Sequence, residues 1–319
     1  MIYVKVAARR AGEAYADFSL LVPAGGQRFT EYRFAYVERP QNPALPYTGG
    51  TNDPANSKLY RIREAYLGTL SGMDFMSDCR VLQGGEIGFA FREEGAGDFV
   101  GGFHGDEQLL SASLLGDGKE IALGEPSFGA YHEVRLLLTT RIDRCNTPAE
   151  PLCLHGQVYT VTGDTVALSQ RVEWIGDAHR LSSAFMPMLT VQRLDPKAPA
   201  HRLTDTLTFF GAHGAPVAVL DTTPYGATPT DGVPTDPLRG TAAVRVTASG
   251  RESGIAIEGG IAHRAESPIA KNTRISVWQR YGNDLDSKVY FDIAAGCSPK
   301  KGELWEADVF YRVTLPSDN

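Results

Sequence analysis

Residues 101–107 read GGFHGDE, the point where this sequence concentrates groups able to move a proton. His104 stands between glycines and is followed by two carboxylates, Asp106 and Glu107. Glycine lets the backbone turn sharply and lets a ligand come close, so a flanked histidine is presented rather than packed. An imidazole accepts a proton, and a neighbouring carboxylate can orient it or offset its charge. The expectation is a working turn, with His104 as proton acceptor and Asp106 and Glu107 as binding groups.

A second cluster is WQRYGNDLDSKVYFD, residues 278–292. Arg280, Tyr281, Asn283, Lys288 and Tyr290 fall on two strands joined by a short loop. Side chains alternate along a strand, so Lys288, Tyr290 and Asp292 share one face while Val289, Phe291 and Ile293 share the other. A face of cations and phenols suits a sugar, which stacks on rings and offers oxygens to cations. The NDLDS run hints at calcium, yet the twelfth position counted from Asp284 is Ala295 instead of the bidentate acid an EF-hand needs. No cofactor is expected, with room left for a structural calcium ion. The third cluster is Arg61, Arg63, Glu64 and Tyr66. On a regular strand, Arg61 and Arg63 share a face and would grip a carboxylate or sulfate bidentately.

Other patterns carry less chemistry. His132 shares a strand face with Val134, Leu136 and Leu138 and reads as a core histidine. His155, His179, His201, His213 and His263 lie near turns with no carboxylate pattern beside them. No GxSxG elbow, P-loop or dinucleotide-binding glycine pattern is present.

The elements that must position these residues are strands. Short apolar or alternating runs recur at spacings near 8–12 residues, about fifteen in all, with turn signals such as Asp117–Gly118 between them. Residues 59–66 also fit a helical spacing, but period two is preferred. No βαβ alternation and no repeat emerge. The pattern predicts an all-β chain, a large antiparallel β-sandwich of jelly-roll or supersandwich type. It forms a single domain over 1–319, with long loops at 38–58 and 221–239.

Composition bounds the partners. The formal net charge is −7, which disfavours a nucleic-acid backbone. No apolar run approaches the roughly 20 residues that span a bilayer as a helix, so no membrane partner is expected. The first residues already read as a strand, with no signal peptide ahead of them. Cys145 and Cys153 enclose a Pro-containing loop between two strands and are expected to pair as a hairpin disulfide, while Cys79 and Cys297 are expected to be buried thiols. A disulfide persists only where thiols oxidise, which points to a secreted or periplasmic mature protein.

With this strand-rich layout, the FHGDE turn and the YGNDLDSKVYFD strand, the chain resembles the β-sandwich polysaccharide lyases. The resemblance implies removal of the C5 proton of a uronic acid by a His or Tyr, neutralisation of the uronate by a cation, and protonation of the leaving oxygen by a Tyr. Carried over, His104 is the base, Tyr290 or Tyr281 the acid, and Arg63, Arg280 or Lys288 the neutraliser. The Gln-Ile-His strand of such families is absent. The reading is therefore a lyase acting on an acidic polysaccharide or oligosaccharide. A glycoside hydrolase, with Glu107 or Asp106 paired to a distant carboxylate such as Glu64, and a non-catalytic glycan-binding or adhesin module are the alternatives.

Overall fold

A computed structural model describes residues 1–39, 56–83, 88–195, 198–211, 214–222, 243–263, 269, 274–279, 286–294 and 296–315. Twenty-two strands, numbered along the chain, and one 3-10 turn lie within them. The first sheet follows the spatial order β9 (Ser127–Tyr131), β1 (Ile2–Val6), β2 (Phe18–Gly25), β3 (Arg28–Arg39), β4 (Ser57–Ser71), β5 (Asp74–Gln83), β13 (Leu181–Gln192), β21 (Asp286–Asp292), β20 (Arg274–Gln279). The short β6 (Ala90–Glu93) also pairs with β13. The second follows β8 (Lys119–Ile121), β7 (Glu107–Gly116), β10 (Glu133–Arg144), β11 (Thr147–Thr162), β12 (Thr165–Trp174), β22 (Leu304–Thr314), β19 (Ala256–His263), β18 (Ala243–Ser249), β16 (Thr206–Phe210), β17 (Pro216–Asp221). A separate hairpin joins β14 (Leu194–Asp195) to β15 (Ala198–Arg202).

Every pairing within the two sheets is antiparallel, and one short parallel contact, Ser57↔Glu107 and Lys58↔Gln108, joins them at a corner between β4 and β7. Period two drives the layering. In β12, Val166, Leu168, Gln170, Val172 and Trp174 turn inward; in β22, Trp305, Ala307, Val309, Tyr311 and Val313 do. The sheets meet face to face, the Phe34 ring of β3 standing edge-on to Tyr159 of β11 at 5.3 Å between centroids. At Gly259 of β19 a Cβ would come within 3.1 Å of the Leu189 side chain of β13, so the two sheets pack closely at this crossing. The chain is thus the all-β sandwich its patterning predicts, and residues 59–66 are strand.

Two readings are corrected. His132 is exposed, because β10 begins one residue later and the His132 N–H donates to Asp117 Oδ1 at 2.9 Å in the turn. The Cys145–Cys153 bond is not formed, and none of the four cysteines takes part in a disulfide. The expected loop is instead a two-residue turn, Arg144 facing Thr147, with Cys145 in it. Cys153 lies deeper along β11, opposite Ile142 and Trp174, with its thiol in the core and pushed up by burial. The case for an oxidising compartment loses the staple it rested on. Cys79 is buried as expected, and Cys297 is half-buried. Most of the 38–58 loop, and the 221–239 loop beyond Thr222, lie outside the described residues.

Because no staple is present, a saturating reductant should leave the thermal midpoint unchanged. Thiol titration in denaturant without reductant should count four reactive groups. A count of two would restore the disulfide.

Candidate functional site

His104 ends a single 3-10 turn, Gly102–His104, that glycine makes possible. Gly101, Gly102 and Gly105 all have positive φ, and a Cβ on Gly101 would meet the Phe89 carbonyl oxygen at 2.7 Å. The Gly101 N–H donates to Gly105 O at 2.8 Å and the His104 N–H to Gly101 O at 3.0 Å, closing the turn on itself.

Two carboxylates hold this turn to the corner of the sandwich. Glu107 is 1% exposed; it accepts the Gly102 N–H and the Thr140 hydroxyl, and one oxygen lies 3.6 Å from His155 Nδ1. The other nitrogen of His155 is 3.1 Å from Gln170 Oε1. Asp106, 4% exposed, accepts from Asn56 Nδ2 at 2.8 Å and from the Asn146 N–H at 2.9 Å. Burial raises the pKa of Asp106, the two hydrogen bonds pulling the other way. Both carboxylates expected to bind substrate are therefore engaged inside the scaffold. His155, expected near a turn and away from carboxylates, is instead buried mid-strand against Glu107.

Three neighbours assemble around the imidazole. Asp98 Oδ1 is 3.7 Å from His104 Nδ1, and the Phe99 ring lies 5.0 Å from the imidazole. Arg61, 6% exposed, lays its guanidinium 4.8 Å over the Phe103 ring. Burial pushes the His104 pKa down from 6.5 to about 4; the Lys288 and Arg61 charges add to this, and Asp98 opposes it. The imidazole is accordingly neutral and a proton acceptor at neutral pH.

The turn also meets the second cluster. An aromatic path runs from His104 to Phe99, to Phe185 at 5.1 Å, and on to Tyr290 at 4.7 Å. β21 keeps the expected alternation, with Val289 and Phe291 in the core and Lys288 and Tyr290 on the opposite face. Lys288 is only 7% exposed, so this face is not a solvated one. It pairs with Thr190, as Tyr290 pairs with Met188 and Asp286 with Gln192. Thr190, Gln192 and Asp286 are buried too, which continues a polar surface under the turn. Arg280, Tyr281 and Asn283 lie outside the described residues, as does Asp284. Between the turn and β13, a cavity of about 10 Å³ is lined by Gly88, Phe89, Ala90, His104, Phe185 and Met188. That is room for about one water-sized group.

The arginine pair is separated. Phe34 pairs with Ile62 and Arg33 with Glu64, leaving Arg63 as a bulge. Arg61 is buried under Phe103, whereas Arg63 is exposed and lines a depression of about 540 Å³ with Lys5, Asp17, Arg33 and Asp74. The paired grip expected from a regular strand is not built. Glu64 accepts from Arg80 at 3.3 Å and from the Tyr66 hydroxyl at 2.9 Å, and Arg33 covers the Tyr66 ring at 4.3 Å. Arg80 reaches on to Gln192 at 3.1 Å, tying this group to the surface that carries Lys288. Burial, then the bond to Glu64, raises the Tyr66 pKa. Sequence reading missed Asp98, Phe99, Phe185, Arg80 and Gln192; of these, Asp98 and Phe99 lie six and five residues ahead of His104 and carried a local signal. Among the described residues no cluster of three or more His, Cys, Asp or Glu side chains is placed to hold a metal ion.

Since a buried carboxylate that loses its partners is costly, Thr140→Val should destabilise the fold by about 1–3 kcal/mol. Glu107→Ala should cost about 3–5 kcal/mol, both read from urea unfolding midpoints. An effect below about 0.5 kcal/mol for Glu107→Ala would remove the carboxylate from its structural role.

No protein-family model matches the chain, and no curated protein matches it in sequence. Among solved structures it is similar to a GH36 α-galactosidase from Geobacillus stearothermophilus, at 14% identity and a TM-score of 0.40, over 97% of this chain and 40% of that one. It therefore spans about two fifths of the α-galactosidase. It is also similar to a galactose mutarotase-like protein from Clostridium acetobutylicum, at 7% identity and a TM-score of 0.45, over 97% of this chain and 98% of that one. A putative aldose 1-epimerase from Klebsiella pneumoniae is similar at 9% identity and a TM-score of 0.33, over 95% and 85% of the two chains.

Proposed function

We propose that the chain is a carbohydrate-active enzyme in which His104 takes a proton from an anionic sugar. The observation that carries this reading is a buried imidazole lying within the field of two buried cations, Lys288 and Arg61. A base next to fixed positive charge fits abstraction of a proton alpha to a carboxylate, where the difficulty is the charge that develops on the carboxylate oxygens. Lys288 and Arg61 would hold those oxygens, and Tyr290, across Phe185 from the imidazole, would protonate the leaving oxygen. On a glycan this sequence is β-elimination at a uronate, a lyase reaction that needs no resident cofactor. The phenyl rings of Phe99 and Phe185, stacked on each other at 5.1 Å, would present their remaining apolar surface to a pyranose.

A second reading has its own support in the small, partly open pocket beside His104. Space of that size suits proton transfer at one hydroxyl of a single sugar, such as the anomeric hydroxyl of an aldose undergoing ring opening. The hydrolase reading is weaker, because Asp106 and Glu107 face scaffold donors and Glu64 is held by Arg80 and Tyr66.

The test is a panel of anionic polysaccharides, free uronates and free aldoses. Ultraviolet absorbance from an unsaturated uronate reports elimination, while loss of anomeric excess by NMR without that chromophore reports ring opening. Turnover of any of these should fall roughly 10²–10⁴-fold in His104→Gln, the usual contribution of a general base. Full activity in that variant removes His104 from the chemistry. The acid limb of kcat/KM should lie near pH 4, because burial and the two cations keep the base unprotonated below the usual histidine range. A limb at an ordinary histidine value, near 6.5, would contradict this environment.

A further inference from the structure

We propose that Asp98 is the positioning partner of His104, fixing the imidazole as the Nδ1–H tautomer so that Nε2 is the nitrogen that accepts the substrate proton. The inference rests on the reading of His104 as a base but goes beyond it, since it names the reacting nitrogen and a residue with no assigned role.

The geometry is specific to this carboxylate. Asp98 Oδ1 faces Nδ1 at 3.7 Å, an ion-pair distance and too long for a settled hydrogen bond while the ring is neutral. Its rotamer is already fixed, because the same oxygen accepts the Phe99 N–H at 2.7 Å. The segment behind it is pinned by a two-way bridge, Phe91 N–H to Val100 O at 3.0 Å and Val100 N–H to Phe91 O at 2.8 Å. On the other side, the glycine turn and Glu107 fix the histidine backbone. Both partners are thus preorganised, and a shift of under an ångström completes the bond, as apo sites commonly require. With Nδ1 turned toward Asp98, the other ring nitrogen points away from it.

The charged groups acting on the imidazole are Asp98 from the segment before the turn, Arg61 from β4 and Lys288 from β21. Asp98 is the one that favours the imidazolium. In the step itself, a bond from hydrogen to Nε2 forms and the substrate bond to that hydrogen breaks, its electron pair staying on the substrate. The ring then carries the positive charge, and the carboxylate of Asp98 offsets it through Nδ1–H without taking a proton, the division of labour seen wherever a carboxylate orients a catalytic histidine.

The experiment is NMR of the free, full-length protein, which needs no substrate. Imidazole nitrogen shifts at pH 7, assigned by the peak lost in His104→Gln, should show Nδ1 protonated and Nε2 bare. The Nε2–H tautomer would overturn the proposal on wild-type protein alone. Asp98→Asn keeps an oxygen for the Phe99 N–H, so the fold should hold, and the His104 titration should move to lower pH by about half a unit or more with a mixed tautomer population. An unchanged midpoint and tautomer would also overturn it. These outcomes are independent of turnover: failure of every sugar in the panel with the expected NMR result would remove the carbohydrate reading and leave the pair in place.

Discussion

A carboxylate withdrawn from water at the joint between two sheets is the constraint on which this molecule turns. Glu107 opens β7 at the corner where that strand meets β4, and its side chain is almost wholly buried. An ion there costs several kcal/mol unless its lone pairs are matched. Gly102, Thr140 and His155 meet it. Gly102 belongs to the turn that carries His104, Thr140 to β10 and His155 to β11, so one group fixes the proton acceptor to the second sheet. The position of His104 is therefore a property of the corner.

The backbone around this corner is strained in a localised way. Asn56, Asp106 and Asn146 all take positive φ without being glycine, at 54°, 51° and 54°. Such residues cost on the order of 1 kcal/mol each and persist where surrounding bonds over-determine them. Here they bond to one another: Asp106 accepts from both asparagines, and Asn56 in turn receives Gln108 Nε2 through its own carbonyl at 2.8 Å. The same closed set of contacts that tolerates the strain holds β4 against β7. Local strain, the sheet joint and the candidate base thus occupy one small volume.

How much of this a sequence can reveal depends on whether the signal is local. Alternation along β10, β12 and β22 is a period-two pattern set by residues two apart, so the all-β reading and the inward faces follow from it. The glycines around His104 announce a turn for the same reason, and Lys288 and Tyr290 share a face by alternation alone. What fails is what depends on register between distant segments. The bulge at Arg63 is set by pairing with Arg33 and Phe34, about thirty residues earlier in the chain, and it parts two arginines that a regular strand would align. The two-residue turn at Cys145 moves Cys153 into the core, where a spacing argument had set the two at the ends of one loop. His155 and Glu107 meet only because β10 lies between their strands.

The charges around His104 acquire meaning when a ligand is considered. In the free protein the imidazole is held neutral by burial, with two cations acting in the same direction and one carboxylate against them. An anionic sugar group lodged beside Lys288 and Arg61 would cancel much of their field, since its charge is opposite and close. The proton affinity of the imidazole would then rise when such a substrate is bound, and would rise further as negative charge develops on the substrate oxygens. A neutral sugar brings no such change, and the base remains weak. On the proposed reading the cations therefore do more than bind: they make proton abstraction conditional on an anion, and selectivity follows from the same electrostatics that keeps the imidazole unprotonated.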